Sequence, residues 1–329
     1  MIKNIFTVVV FILVGWFANT LYHLPKTPDN IVTQVLPKPL EKYSIEGLSN
    51  AEFKEGKIEL GEVLKEDKDF TSYKFSFEFS PDLSKDTKKI SGLINIPKGT
   101  GTFPVLLMFR GYVDQEIYET GMGTKNSGEF FARNGFVTIA PDFLGYAGSD
   151  DEAINIFESR FQTYVTALNL LSSVKSIELW DDKNIFIYGH SNGGQIALTI
   201  LEESGVEYPT VLWAPVSKPF PYSILYYTDE SADHGKLIRR ELSNFEESYD
   251  VEKYSLTNYF SNIKAPIEIH QGTFDDAVPV SWTDTLVKNL EKLDIEVSYI
   301  KHSGSDHNMQ PAWNIAIQNS LTFFKKHVK

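Results

Sequence analysis

Asn184-Ile185-Phe186-Ile187-Tyr188-Gly189-His190-Ser191-Asn192-Gly193-Gly194-Gln195 is the stretch on which the reading of this chain turns. An apolar, strand-like run ends at Tyr188, a Gly-x-Ser-x-Gly pentapeptide follows with no spacer, and a helix-like run opens at Gly194-Gln195. A serine on so tight a turn from a buried strand into a helix takes a strained backbone conformation, with its hydroxyl clear of the sheet edge. Such a turn needs small neighbours. Gly189 and Gly193 supply them, because a side chain two positions either side of the serine would collide where strand and helix pack closely.

Outward from this turn the pattern alternates. Tyr73 to Phe79 and Ile90 to Ile96 read as antiparallel strands with one wet face. Val105 to Phe109, Phe136 to Ala140, Thr210 to Trp213, Ile267 to His270 and Val297 to Lys301 read as strands, the first and fourth of them buried. Helical stretches stand between them, at Gly128 to Arg133, Phe161 to Val174, Trp282 to Leu293 and Ile315 to His327. Strand, helix, strand in succession predicts an α/β protein with a mostly parallel sheet and helices on both faces. The rhythm breaks between 217 and 262, which reads as a small cap insertion in a catalytic domain running over 57–329.

The first residues are of another kind. From Asn4 to Pro25 there is no Lys, Arg, Asp or Glu, and Lys3 precedes the apolar run. That is about the ~20 residues a helix needs to cross a bilayer. Residues 1–24 therefore read as a membrane anchor with the main domain outside the cytoplasm, or as a signal segment whose cleavage would release a secreted protein. Pro25, Pro28, Pro37 and Pro39 make 25–56 read as an extended linker. The net charge of −13 and the lack of a basic stripe argue against a nucleic-acid partner. With no cysteine in the chain, thiolate catalysis, disulfides and Cys-ligated zinc are excluded. Scattered histidines give no metal site, and no Gly-rich phosphate loop points to a nucleotide, so no cofactor is expected. Oligomeric state is not legible.

A serine nucleophile needs a base, a carboxylate to orient the base, and donors for the oxyanion. In a nucleophile-elbow fold these follow in the order Ser, acid, His. Asp275, with Asp276 as the alternative, lies in Gly272-Thr273-Phe274-Asp275-Asp276 after one strand, and His307 lies in Ser303-Gly304-Ser305-Asp306-His307 after the next. Both loops fall at the carboxyl edge of a parallel sheet, where α/β sites assemble. The oxyanion donors are expected to be the backbone amides of Asn192 and of Tyr112, the latter in the turn Phe109-Arg110-Gly111-Tyr112. Arg110 reads as one half of an ion pair, or as a ligand for a substrate carboxylate.

Gly189-His190-Ser191-Asn192-Gly193-Gly194, the run Tyr259 to Pro266 leading into His270-Gln271-Gly272-Thr273-Phe274-Asp275-Asp276-Ala277-Val278-Pro279, and Ser305-Asp306-His307 together resemble the catalytic domain of the prolyl oligopeptidase family of serine peptidases. The resemblance runs from about Lys57 to the end. It implies an α/β-hydrolase fold, a triad of Ser191, Asp275 and His307, and an acyl-enzyme mechanism on small peptides. The best-known peptidases of that family carry a β-propeller ahead of this domain, and here a Pro-punctuated stretch stands in that place. The turn at Phe109 to Tyr112 is closer to that of acetyl-ester hydrolases. Ester substrates are therefore the alternative to peptides, and a non-catalytic binding protein on the same fold is the third possibility.

Overall fold

The computed structural model describes residues 37–228 and 231–329. The segment 1–24, with its expected membrane role, and the first part of the expected linker lie outside them. Among the described residues no helix is long and apolar enough to cross a membrane.

Nine strands of the described chain form one sheet in the order β1-β2-β3-β5-β4-β6-β7-β8-β9. The first three, β1 (Glu59–Glu66), β2 (Phe70–Phe79) and β3 (Lys88–Pro97), run antiparallel. The rest are β4 (Phe103–Phe109), β5 (Val137–Pro141), β6 (Trp180–His190), β7 (Thr210–Trp213), β8 (Ile267–Gly272) and β9 (Val297–His302). These six pair in parallel, and β5 joins β3 antiparallel. β4, β5, β7 and β8 are buried nearly throughout, as continuous apolar runs covered on both faces must be.

Helices cover the sheet. They are α1 (Ile45–Ser49), α2 (Lys125–Arg133), α3 (Ile156–Ser173), α4 (Asn192–Ser204), α5 (Tyr222–Leu225), α6 (Lys236–Glu246), α7 (Val280–Glu291) and α8 (Trp313–Lys326). One core contains Leu107, Phe109, Val165, Ile187, Ile196, Leu212 and Ile269; a second, on Phe131, Phe136, Phe186 and Phe324, lies under α2 and α8. Between β7 and β8 the described chain holds α5, α6 and 3-10 turns at Val251–Tyr254, Leu256–Asn258 and Phe260–Asn262. Phe245 of α6 packs against Phe157, Phe161 and Phe220, which joins this insertion to α3.

The expected linker 25–56 needs a correction in its described part. The compact catalytic unit begins at Lys38. Leu40, Tyr43, Ile45 and Leu48 are buried in the main core, and Ser44 caps α1 by accepting the Gly47 N–H. The four lie across a 3-10 turn at Glu41–Tyr43 and α1, with Ser44 extended between them, so tertiary packing and not one helical face buries them. The prolines at 37 and 39 mark the entry to this packed segment rather than a continuing extended stretch.

Candidate active site

Parallel strands bring separate loops to one rim. Register across the sheet sets Phe109 against Gly189, His190 against Trp213, Trp213 against His270, and Gly272 against His302. The turns after β4, β6, β8 and β9 therefore open on the same edge, and Arg110 to Tyr112, Ser191, Asp275 and His307 lie in them.

Ser191 has φ 55° and ψ −119°, a region that L-residues rarely occupy, as a nucleophile elbow requires. Neighbouring backbone holds it there: the Ser191 N–H donates to the Trp213 carbonyl at 2.9 Å, and its own carbonyl accepts the N–H groups of Gly194 and Val216. The glycines are needed sterically. A Cβ on Gly193 would run into the Phe109 carbonyl, and one on Gly189 would lie 2.5 Å from the Gly193 oxygen. Gly111 presses on the serine from the other side, where an added Cβ would lie 3.1 Å from Ser191 Cβ and 3.5 Å from its Oγ.

The acid and histidine loops are stitched together. The Thr273 N–H donates to the His302 carbonyl, the Phe274 N–H to the Ser305 carbonyl, and the Gly304 N–H to the Thr273 hydroxyl. His307 Nδ1 then lies 3.0 Å from both carboxylate oxygens of Asp275. Asp275 Oδ1 also accepts the N–H groups of Ala277 and Val278 at 3.0 and 2.8 Å, and Oδ2 accepts Gln271 Nε2 at 2.8 Å. Burial opposes the charge on Asp275, but the His307, Val278 and Gln271 donors outweigh it and hold its carboxyl below the usual range. An ionised carboxylate can only accept, so His307 carries its proton on Nδ1 and leaves Nε2 as the basic nitrogen. Asp276, the alternative acid, is exposed.

The Ser191 hydroxyl makes no hydrogen bond to His307 among the described contacts. The two are joined instead through His190, whose Nε2–H donates to the His307 carbonyl at 3.0 Å and whose ring centroid is 4.7 Å from that of His307. Nucleophile and base in a free enzyme are often farther apart than in the complex that reacts. The other predicted site atoms are the amides of Asn192, at the first position of α4, and of Tyr112. Both residues line a cavity of about 70 Å³, together with Arg110, Phe143, Leu144, Tyr146, Ile196 and residues of α3. The Tyr112 side chain is exposed, and its hydroxyl donates to Asp114, which pushes its pKa up to about 12.

Two participants were not singled out in the sequence, and a third was expected to have another partner. Gln271 is fully buried and is itself held by the Thr283 hydroxyl, 2.6 Å from its Oε1. It stands in the quoted run before Asp275, and an amide there, one residue before the end of a buried strand, was the available signal. His190 had been read only as part of the turn. Arg110 forms no ion pair with a carboxylate among the described residues, contrary to the ion pair expected; its guanidinium goes to backbone carbonyls.

His190 gives a prediction for pH. Burial, and then the neighbouring His307, lower its pKa from 6.5 to about 4. Between those values the unfolded chain binds a proton that the folded chain refuses, so stability rises with pH across the window. The loss on acidification from pH 6.5 to 4 is about 3 kcal/mol. Urea melts at stepped pH should show this slope in the native protein and a flatter one in His190→Asn. An equal slope in both would remove His190 from the account.

Over residues 124–329 the chain matches the prolyl oligopeptidase family. It is 25% identical over 224 residues to the acetyl esterase Axe7A of Xylanibacter ruminicola, a match covering 61% of this chain and 49% of that protein. The chain thus spans about half the length of that curated relative. Among solved structures it is similar to an acetyl xylan esterase from Paenibacillus sp. R4, with a TM-score of 0.64 and 19% identity over 84% of this chain and 91% of the other. Acetyl xylan esterase 1 from Thermoanaerobacterium sp. JW/SL YS485 gives 0.60 and 18%, over 87% and 94%. A puromycin-hydrolyzing peptidase of Mycobacterium tuberculosis gives 0.53 and 14%, over 77% of this chain and 37% of that one. At these identities the solved structures share the fold, and that fold is the α/β-hydrolase fold. The family match extends over more than half of the chain and takes in the elbow and the loops after β8 and β9, so the protein belongs to the prolyl oligopeptidase family.

Proposed function

We propose that the protein hydrolyses short-chain acyl esters through an acyl-enzyme. In this reading Ser191 Oγ attacks the ester carbonyl while His307 Nε2 takes its proton. Asp275 fixes the imidazole, and the amides of Asn192 and Tyr112 receive the developing oxyanion. His307 returns the proton to the departing alcohol, and water then repeats the sequence on the acyl-serine.

The observation that carries the preference for esters of short acids is the small cavity beside those two amides. At about 70 Å³, walled by Phe143, Leu144 and Ile196, it is a tight space that suits an acetyl or propionyl group and not a peptidyl chain. The acetyl-esterase names of the relatives agree with it. The family match supports the second reading, cleavage of aminoacyl amides, and one screen separates the two. p-Nitrophenyl esters from acetate to octanoate should show kcat/KM falling at least about tenfold by hexanoate, with aminoacyl p-nitroanilides untouched. Ile196 is buried and lines the cavity, so Ile196→Ala should enlarge it and move the optimum to longer chains by one or two carbons. Faster turnover of the anilides than of acetate would overturn the ester assignment.

We also place the catalytic unit outside the cytoplasm, on the strength of the apolar segment behind Lys3. Digestion of intact cells expressing the full chain should then remove the catalytic unit.

A further inference from the structure

Arg110 is 6% exposed, yet no carboxylate pairs with it among the described residues. The nearest acidic candidate, Asp142, has its carboxylate oxygens occupied by the hydroxyls of Ser91, Tyr118 and Thr120 at 2.6, 2.8 and 2.9 Å. The guanidinium is instead clamped between aromatic rings, its centre 4.1 Å from the ring of Tyr146, 4.5 Å from Tyr118 and 5.6 Å from Phe143. Backbone closes on its stem as well, since a Cβ on Gly123 would lie 3.2 Å from Arg110 Cβ. So held, the side chain turns back on its own strand end. Nη1 donates to the Gly111 carbonyl at 2.9 Å and Nη2 to the Asp142 carbonyl at 3.2 Å.

The Gly111 carbonyl belongs to the peptide unit that carries the Tyr112 N–H. That unit is trans, since the cis bonds of the described chain precede Pro221 and Pro311. In a planar trans peptide the C=O and the N–H point in opposite directions, so fixing one fixes the other. The Gly111 end of the unit faces Ser191, since a Cβ added there would meet the serine side chain at the distances given above. The Tyr112 N–H makes no hydrogen bond within the described protein.

We infer that Arg110 is a positioning residue for the oxyanion site: by holding the Gly111 carbonyl back, it keeps the Tyr112 N–H turned towards the Ser191 side of the turn. The group does not touch substrate. Its action passes through a single peptide plane, and that is why arginine is needed there. A planar fork can hold two carbonyls at a fixed angle while its faces lie between rings, whereas a lysine ammonium is a rotating point donor with no face to stack.

This inference rests on the proposed roles of Ser191 and Tyr112, and the test separates the two levels. A fluorophosphonate first counts reactive Ser191 in the native protein, Arg110→Lys and Arg110→Ala, so that rates are expressed per competent site even where a variant folds incompletely. Each variant is then assayed for kcat and KM on an acetyl ester and for affinity towards an alkyl boronic acid, which mimics the tetrahedral oxyanion. Both substitutions should lower kcat by about 10- to 100-fold, less than the ~100- to 1,000-fold for outright loss of one oxyanion donor because the N–H is misdirected and not removed, with KM changed less than about threefold. Boronate affinity should fall with kcat, and added guanidinium should restore part of the rate of Arg110→Ala. Unchanged kcat per labelled site, or boronate affinity that stays put while kcat falls, overturns the positioning role and leaves the ester mechanism standing. A native protein that takes no label on Ser191 overturns the mechanism beneath it.

Discussion

Ser191→Ala should lower kcat/KM by about 10⁴- to 10⁶-fold while leaving the fold intact. The loss is large because the acyl-enzyme route has no substitute for the oxygen that forms the covalent bond. What survives is the slower attack of water helped by the oxyanion donors. The fold is spared because Ser191 is fixed by main-chain bonds: its N–H to Trp213 and its carbonyl to Gly194 and Val216. None of these depends on the hydroxyl. The same backbone allows a second measurement that moves in the opposite direction. At φ 55° and ψ −119° any residue with a Cβ is strained, by about 1–3 kcal/mol, and glycine is not. Ser191→Gly should therefore raise the melting temperature above that of Ser191→Ala by a few degrees, less the entropy that glycine adds to the unfolded chain, while being equally inactive. Retention of more than a few percent of native activity by either variant would take the nucleophile away from position 191.

Much of this arrangement was legible along the chain, for a definite reason. Strands β4, β5, β7 and β8 are buried on both faces, so their sequences are unbroken apolar runs, and each ends in a loop whose polar residues stand out. Asp275 is visible in that way after β8; Ser191 is marked by the glycines of its turn after β6, and His307 by the Ser-Gly-Ser loop after β9. The residues that went unread are those whose role depends on partners distant in sequence. β1 is exposed along nearly its whole length and follows no alternation; its pairing with β2, not burial, makes it a strand. Nothing in Glu59 to Glu66 announces that. Leu40, Tyr43, Ile45 and Leu48 follow closely on two prolines and share no helical period, since Ser44 is extended between a 3-10 turn and α1, so only their packing shows them to be core. The order β3-β5-β4 could not be read either, because a sequence shows which strands exist before it shows which neighbours they take. Arg110 is the sharpest case. Residue type and an acidic chain suggest an ion pair, whereas rings at 118, 143 and 146 and a carbonyl one residue away decide otherwise.

Asp275→Asn should lower kcat by about 10³- to 10⁴-fold with KM nearly unchanged, and Asp276→Asn should do neither. The argument lies in how the carboxylate is filled. Oδ1 accepts two backbone N–H groups, from Ala277 and Val278, so the amide oxygen of an asparagine must take that place. Its NH₂ then falls where Oδ2 was, facing Gln271 Nε2 and His307 Nδ1, both of which donated to Oδ2. Gln271 keeps its Nε2 in place, because that group also donates to the carbonyls of Gly272 and Val278 at 3.2 and 3.4 Å, so it offers the new NH₂ no acceptor. His307 answers the new donor by giving up its Nδ1 proton, at the expense of the bond it could keep to the amide oxygen, since both carboxylate oxygens lie 3.0 Å from Nδ1 in the native site; that moves the proton to Nε2, and a protonated Nε2 cannot take one from the serine. The loss is thus one of tautomer, and added base should recover part of the rate as hydroxide replaces the missing acceptor. Stability gives an independent sign. The Asp275 carboxyl is held below its usual 3.8, so its contribution to folding is present above that value and is lost as pH falls through the lowered one. Asparagine does not titrate, so the variant should be less stable at neutral pH and show a shallower acid limb below about pH 4. Asp276 is exposed and lies outside this cluster, so its replacement should leave both the rate and the acid limb within error. An equal loss of activity at 275 and 276, or a variant at 275 that keeps the native rate, would place the orienting carboxylate elsewhere.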